Sequence, residues 1–197
     1  MTNTYRHEFL TALRLLAEAF GEVEAAGWKR PILVGGAAVE FYTGGEVVSG
    51  DFDVVTAAQH DLEQALLRRG FERPSGPGML MRGLLHRELR IGVEVVSGTL
   101  FDGNAEETRV GLIDLGSTGV PIPAIEDMIA DRLGQYSSNE AGHPEMLGQA
   151  VRLYQIAMSR LEFPLDREYL SRRIEHETSG HYGLEFLIER ANEPDHD

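Results

Sequence analysis

The sequence contains no cysteine, and this absence removes several kinds of chemistry together. Disulfide frameworks, thiolate zinc sites and cysteine nucleophiles are all excluded. No apolar run approaches the ~20 residues that a membrane-spanning helix needs, and the first residues lack the apolar centre of a signal peptide. The sequence therefore predicts a cytoplasmic protein without a membrane partner.

Several common catalytic motifs are also missing. The chain has no Walker A run, no Gly-x-Ser-x-Gly elbow and no His-Glu-x-x-His pair. The run that begins at Gly35 and Gly36 lacks the Gly-x-Gly-x-x-Gly spacing with which dinucleotide-binding folds approach a pyrophosphate. These absences argue against P-loop enzymes, α/β-hydrolases, zinc metalloproteases and dehydrogenases.

Positive charge is scarce, since 18 basic residues face 32 acidic ones and the formal net charge is −14. A polyanion would meet a repulsive field over much of such a surface, which disfavours broad nucleic-acid binding. The window from Arg68 to Arg90 departs from this average, because it contains six arginines and only two acidic residues. It reads as a solvated charge run, or as a patch that receives a nucleoside triphosphate or an acidic acceptor. Its arginines are Arg68, Arg69, Arg73, Arg82, Arg87 and Arg90.

Hydrophobic periodicity indicates an α+β fold in which a mixed sheet is flanked by helices and followed by a small C-terminal helical bundle. The 197 residues suit one domain with an appended bundle. Helical spacing covers 5–26, 61–69, 124–136, 144–160, 166–177 and 182–191, and strand patterns cover 32–34, 49–55, 79–85, 90–96 and 110–114. Glycines and prolines at 116–123 form a composition break, so we predict a core over 1–118 and a helical region over 119–197.

The most informative stretch is a short apolar strand that ends at Gly35 and Gly36 and passes into a helix. A turn of this kind presents amide N–H groups at a helix N-terminus, where phosphate oxygens are readily bound. A second strand follows, and in it Asp51 and Asp53 share one face because side chains alternate along a strand. Residues two positions apart on a strand are separated by about 7 Å. The two carboxylates therefore repel each other unless a cation lies between them.

A third acid is available from a later strand. Glu94 lies in the run Arg90-Ile-Gly-Val-Glu-Val-Val96, on the same face as Gly92, and the glycine leaves room for a ligand. Carboxylate oxygens are the ligands that Mg²⁺ prefers. Three acids from two strands therefore predict a divalent-cation site if the strands are neighbours.

Residues 30–135 resemble the nucleotidyltransferase superfamily with the DNA polymerase beta fold, and within it the small AbiEii-toxin-like enzymes. The resemblance rests on the glycine pair, on the Ser-x-Asp-x-Asp strand and on the later acidic strand, in that order. It implies that Asp51, Asp53 and Glu94 are catalytic residues that bind two Mg²⁺ ions. The sequence departs from the family pattern at Val47, where an arginine often precedes the family's Ser or Thr.

The resemblance also implies a nucleotide-binding set. Gly35, Gly36 and the Ser49 hydroxyl would bind the β- and γ-phosphates, and Arg132 takes a position that is usually lysine in the family. The implied activity is Mg²⁺-dependent transfer of a nucleoside monophosphate from an NTP to an acceptor hydroxyl of tRNA, a protein or a small molecule. The resemblance to AbiEii-toxin-like enzymes also implies a role of the toxin–antitoxin type. The alternative is a nucleotidyltransferase-like protein that binds a nucleotide or a partner with little or no turnover.

Overall fold

The computed structural model describes residues 5–74, 83–138, 143–159 and 164–193. The chain divides into two compact units, Met1–Pro123 and Ala124–Asp197. The strand predicted over 79–85 falls partly outside the described residues, and Arg82 falls outside them entirely.

The first unit contains three helices and six strands within its described residues. They are α1 His7–Ala25, β1 Ile32–Val34, α2 Gly35–Tyr42, β2 Asp51–Val55, α3 Gln59–Leu67, β3 Leu84–His86, β4 Ile91–Ser97, β5 Gly111–Asp114 and β6 Gly119–Ile122. Two short 3₁₀ turns, Leu100–Gly103 and Glu107–Arg109, lie between β4 and β5.

The main sheet has four strands in the order β1-β2-β4-β3. Strand β2 is antiparallel to β1 and parallel to β4, and β4 is antiparallel to β3. The crossover from β2 to the parallel strand β4 passes through α3, as a parallel pair requires a long connection. The sheet is therefore mixed, and the predicted α+β class is confirmed.

One face of this sheet carries the core of the unit. Phe52 and Val54 on β2 are fully buried, and Val93 on β4 is 4% exposed. Phe9 on α1 packs edge-on against Phe52 with ring centroids 5.3 Å apart. Because side chains alternate along β2, burying Phe52 and Val54 turns the residues on either side of them to the opposite face.

The opposite face is apolar at one end. Val34, Val55 and Leu100 form a small buried cluster, and Ile32 and Val110 pack against it. The chain after β4 thus covers the part of β1 and β2 that lies beyond Asp53 along β2. The beginning of β2 is more open, since Asp51 is exposed and Asp53 is half-buried.

Strand β6 was not foreseen, because its glycine and its proline were interpreted as part of a composition break. It pairs with β5 in antiparallel register, from Gly111 opposite Ile122 to Asp114 opposite Gly119. The predicted boundary between 118 and 119 lies directly before β6, and the division into two compact units comes after Pro123 in the sequence.

All the regular secondary structure that is described in the second unit is helical. It comprises α4 Ile125–Ser137, α5 Pro144–Ser159, α6 Arg167–Glu177 and α7 Leu184–Asn192. Helix α6 begins after Asp166, whose side chain accepts a hydrogen bond from the backbone N–H of Tyr169. Helices α5 and α6 both pack against α4. Across the described residues, no helix has the length and apolarity needed to cross a membrane.

Candidate active site

Two of the predicted acids are direct neighbours across the sheet. In the parallel pairing of β2 with β4, Asp53 is the Cα partner of Glu94, and Asp51 is the partner of Gly92. Partners in register point to the same face, and adjacent strands lie about 4.8 Å apart. The backbone therefore places Asp51, Asp53 and Glu94 on one face, with Gly92 leaving space opposite Asp51.

The glycine pair lies against this acidic face, and each glycine meets a different side chain. Gly35 has a φ of 65°, in the left-handed region that favours glycine. A Cβ atom on Gly35 would lie 1.9 Å from Oδ2 of Asp53, and one on Gly36 would lie 2.7 Å from Oγ of Ser49. The beginning of α2 therefore borders both Asp53 and Ser49, and only residues without a side chain permit this approach.

Ser49 is held by its backbone and by its hydroxyl. The hydroxyl donates to the carbonyl oxygen of Asp51 at 2.8 Å. The Ser49 N–H donates to Oε2 of Glu40 at 2.7 Å, and the guanidinium of Arg6 donates to the Ser49 carbonyl oxygen. Arg6 also forms an ion pair with Glu40, which raises the pKa of its guanidinium above the ordinary value. The assignment of Ser49 to phosphate binding stays a prediction.

The donor chemistry of the three acids suits Mg²⁺, because all three are carboxylates on one sheet face. Their side chains do not yet form a complete site: within the described residues, no group of three His, Asp or Glu side chains could hold a metal ion. Glu94 instead contributes to a polar cavity of about 630 Å³ with Glu63 and Arg73, and the described lining of this cavity includes neither aspartate. The two-ion site therefore stays a prediction.

A second cavity, of about 470 Å³, lies on the unit's apolar side. Ile32, Val55, Leu100 and Val110 line it, and so does the 47%-exposed Trp28. Since Ile32 and Val55 are on the same sheet face as Asp53, this cavity and the acids share one surface of the first unit. Its volume is within the usual range for a small-molecule pocket.

Arg132 lies on α4 in the second unit and is 6% exposed. Its guanidinium pairs with Asp131 at 2.8 Å and contacts the thioether sulfur of Met146 at 3.5 Å. Both contacts are made within the second unit. Its role as a phosphate ligand stays a prediction.

The arginine-rich window is made largely of surface ion pairs where the structure describes it. Glu22 pairs with two of its arginines, and Glu63 and Glu72 each pair with one. The arginines concerned are Arg68, Arg69, Arg73 and Arg87. Their charges are already compensated, which favours the interpretation as a solvated charge run over a dedicated anion patch.

Sequence reasoning missed Glu40 and Arg6. Glu40 is fully buried, although it occupies a helix whose other residues are glycine, alanine, valine and aromatic. An acid is almost never buried without a partner, so one charged residue among apolar neighbours was the available signal. Arg6, which precedes α1, gave no signal of its own.

Comparison with known proteins agrees with this architecture. No protein-family profile matches the sequence, and no curated protein matches it. Among solved structures, an antigenic nucleotidyltransferase-like protein from Paracoccidioides brasiliensis is similar, with a TM-score of 0.58, 14% identity and 94% of each chain covered. The solution structure of the antibiotic-resistance factor ANT(2'')-Ia is similar with a TM-score of 0.52 and 14% identity, over 91% of this chain and 98% of the other. The chain shares the fold of these two structures.

Proposed function

We propose that this protein transfers a nucleoside monophosphate from an NTP to an acceptor hydroxyl. One observation carries the proposal: Asp53 and Glu94 are register partners on parallel strands, and the Asp53 carboxylate lies against Gly35 at the N-terminus of α2. Carboxylates that could bind a cation therefore lie next to N–H groups that could bind a phosphate. The nucleotidyltransferase fold supports this assignment.

In this reaction the acceptor oxygen forms a bond to the α-phosphorus, the bond between that phosphorus and the bridging oxygen to the β-phosphate breaks, and pyrophosphate leaves. Asp51, Asp53 and Glu94 would hold Mg²⁺, which supplies charge stabilisation to the attacking and leaving oxygens. Glu94 is the candidate acceptor of the hydroxyl proton. Gly35 and Gly36 would present N–H groups to the β- and γ-phosphates.

The acceptor that we favour is a small or cationic molecule. A net charge of −14 disfavours a long RNA, and the 470 Å³ cavity at the apolar end of the sheet face that carries Asp53 has room for a small molecule. One similar structure is that of an antibiotic-resistance factor, and an aminoglycoside would be such an acceptor. Transfer to tRNA or to a protein hydroxyl, including a toxin–antitoxin role, is the competing proposal and rests on the resemblance to AbiEii-like enzymes.

The test is label transfer from each of the four α-³²P-labelled NTPs with Mg²⁺, offered an aminoglycoside, total tRNA or a protein extract. Asp53→Asn should reduce transfer by roughly 10³-fold, because metal stabilisation of the transition state is worth several kcal/mol. Its thermal midpoint should stay unchanged or rise, since one of two neighbouring like charges is removed. Asp61→Asn, on the first turn of α3, is the matched control and should retain transfer.

A second candidate function is nucleotide binding without turnover. It is favoured by the absence, among the described residues, of a preformed group of three metal ligands. A thermal shift caused by NTP alone, together with no Mg²⁺-dependent consumption of any NTP, would establish this function in place of the first. Equal transfer by the wild type and Asp53→Asn would remove the catalytic assignment of the aspartates.

A further inference from the structure

Glu40 is a buried acid whose two oxygens are fully engaged. The residue is 0% exposed, and burying a carboxylate is costly unless charged or polar partners compensate it. Nε of Arg6 donates to Oε1 at 2.9 Å, and Nη2 of Arg6 donates to Oε2 at 3.0 Å. This two-pronged pairing fixes both planar groups relative to each other.

The same ion pair also binds both backbone groups of Ser49. Its N–H donates to Oε2 of Glu40 at 2.7 Å, and its carbonyl oxygen accepts from Nη2 of Arg6. An ion pair that served only to join α1 to α2 would need no loop residue between its members. Here the loop before β2 completes the hydrogen bonding of the buried carboxylate.

Ser49 also lies next to residues of the candidate active site. Its hydroxyl donates to the carbonyl oxygen of Asp51 at 2.8 Å. On the other side, a Cβ atom on Gly36 would lie 2.7 Å from the same hydroxyl oxygen. Ser49 thus lies between the first turn of α2 and the beginning of β2.

We propose that Glu40 and Arg6 are positioning residues, which fix Ser49 and, through it, the beginning of β2 with Asp51 against the Gly35-Gly36 corner. The inference rests on the proposed function and deepens it, because it assigns a role to two residues that lie behind Ser49. Both residues bind the backbone of Ser49 and would act on the site through it.

The decisive variant is Glu40→Gln. A carboxylate accepts on both oxygens, whereas an amide has one acceptor oxygen and one NH₂ donor. Whichever way the glutamine side chain is oriented, its NH₂ faces Arg6 or the Ser49 N–H, so at least one hydrogen bond is lost. Hydrogen exchange at the Ser49 amide, followed by NMR, should accelerate about tenfold, because its acceptor changes from a charged carboxylate to at best a neutral amide oxygen. The kcat of the folded variant should fall about tenfold.

Two further variants separate positioning from general stability. Asp127→Asn alters a buried ion pair in the second unit and should leave both Ser49 exchange and kcat unchanged. Arg6→Lys keeps the charge but not the two-pronged geometry. It should therefore fall between the wild type and Glu40→Gln in both measurements, and it serves as the test if Glu40→Gln does not fold.

The outcomes distinguish this inference from the proposed function. If the wild type is active and Glu40→Gln, or Arg6→Lys in its place, matches it in kcat and in Ser49 exchange, the positioning role is wrong and the proposed function stands. If Asp127→Asn accelerates Ser49 exchange and lowers kcat as much as Glu40→Gln, the effect is one of stability and the inference also fails. A wild type without transfer activity overturns the proposed function itself, and with it the catalytic part of this inference.

Discussion

Among its described residues, each unit contains one buried carboxylate paired with an arginine, and the two pairs have different further partners. In the first unit, the side chain of Glu40 is 1% exposed and that of its partner Arg6 is 29% exposed. In the second, Asp127 is 1% exposed and Arg173 is 4% exposed, with Nε of Arg173 donating to Oδ1 of Asp127 at 2.7 Å. The chemistry of the two pairs is the same.

Their remaining partners differ. Glu40 and Arg6 bind the backbone N–H and carbonyl oxygen of a loop residue, Ser49. Asp127 instead accepts from the hydroxyl of Tyr169 at 2.8 Å, and Arg173 also donates to Glu177 at 2.6 Å. The partners that the structure describes for the second pair are therefore helix side chains, whereas those of the first include a loop residue beside the candidate active site.

This difference shows how a structural ion pair can be told from one that positions a site. Burial of the carboxylate and the length of the pair do not separate the two cases, since both carboxylates are 1% exposed and both pairs are short. The two pairs differ in the groups that form the remaining hydrogen bonds of the carboxylate and the guanidinium. A network that ends on helix side chains should affect stability alone, while one that ends on a catalytic loop should affect stability and turnover.

The largest expected effect is on the second network. Arg173→Ala leaves the Asp127 carboxylate buried without its counter-ion, and breaking a buried pair in this way costs about 3–5 kcal/mol. We expect a loss of that size in the free energy of unfolding from urea titration, with unchanged kcat for the fraction that remains folded. A loss of NTP transfer by the folded protein would erase the distinction between the two networks.

The neighbouring Arg172→Ala is the control for this experiment. Arg172 pairs with Glu168 on the exposed surface of α6, at 3.2 Å. Exposed pairs contribute about 0–1 kcal/mol, so this variant should stay close to the wild type. A large loss for both arginines would mean that burial of the pair is not the cause.

A smaller effect is expected from two glycines, one in each unit. Gly35→Ala places a side chain at a φ of 65° and within 1.9 Å of Asp53. It should cost about 2–4 kcal/mol of unfolding free energy and displace the Asp53 carboxylate. Gly134→Ala on α4 would put its Cβ 3.0 Å from Glu177, and the gain in helix propensity offsets part of that crowding, so the loss should be below about 2 kcal/mol.

The kcat of the folded protein should also distinguish the two glycine variants. Gly35→Ala should lower kcat, because it moves a proposed metal ligand, while Gly134→Ala should not. Transfer assays at protein concentrations corrected for the folded fraction would measure the difference. Unchanged kcat in Gly35→Ala would show that the close approach to Asp53 serves packing only.

Local patterns in the sequence predicted the site's framework because that framework consists of short-range features. The strand Ile32–Val34, the glycine pair and the alternation of Asp51 and Asp53 are each set by a few consecutive residues. The face shared with Glu94 followed from strand periodicity once β2 and β4 were neighbours. The confirmed α+β class has the same origin.

Features that depend on distant residues could not be predicted in this way. Arg6 and Glu40 are 34 positions apart and meet only in the tertiary fold, in which Tyr5, next to Arg6, stacks on Phe41, next to Glu40. Strand β6 was missed because pairing with β5 overrides the weak strand propensity of Gly-Val-Pro-Ile. Rotamers of the three acids likewise depend on tertiary packing, so the alternation of side chains predicted a shared face but no completed metal site.

The smallest expected effect is a pH dependence confined to the second network. Burial raises the pKa of the Asp127 carboxyl above its ordinary value of 3.8, against the lowering effects of Arg173 and the Tyr169 hydroxyl. The folded protein then binds more protons at this site than the unfolded chain, so the free energy of unfolding falls as the pH rises from 3.8 through the folded-state pKa. Urea titrations of the wild type and of Asp127→Asn between pH 3.5 and 6 would isolate this term, at about half-unit steps. Since the other groups titrate alike in both proteins, the wild type should lose stability relative to Asp127→Asn as the pH rises. A relative gain would instead mean that Arg173 lowers the pKa more than burial raises it, and the second pair would then stabilise the fold as a charged pair.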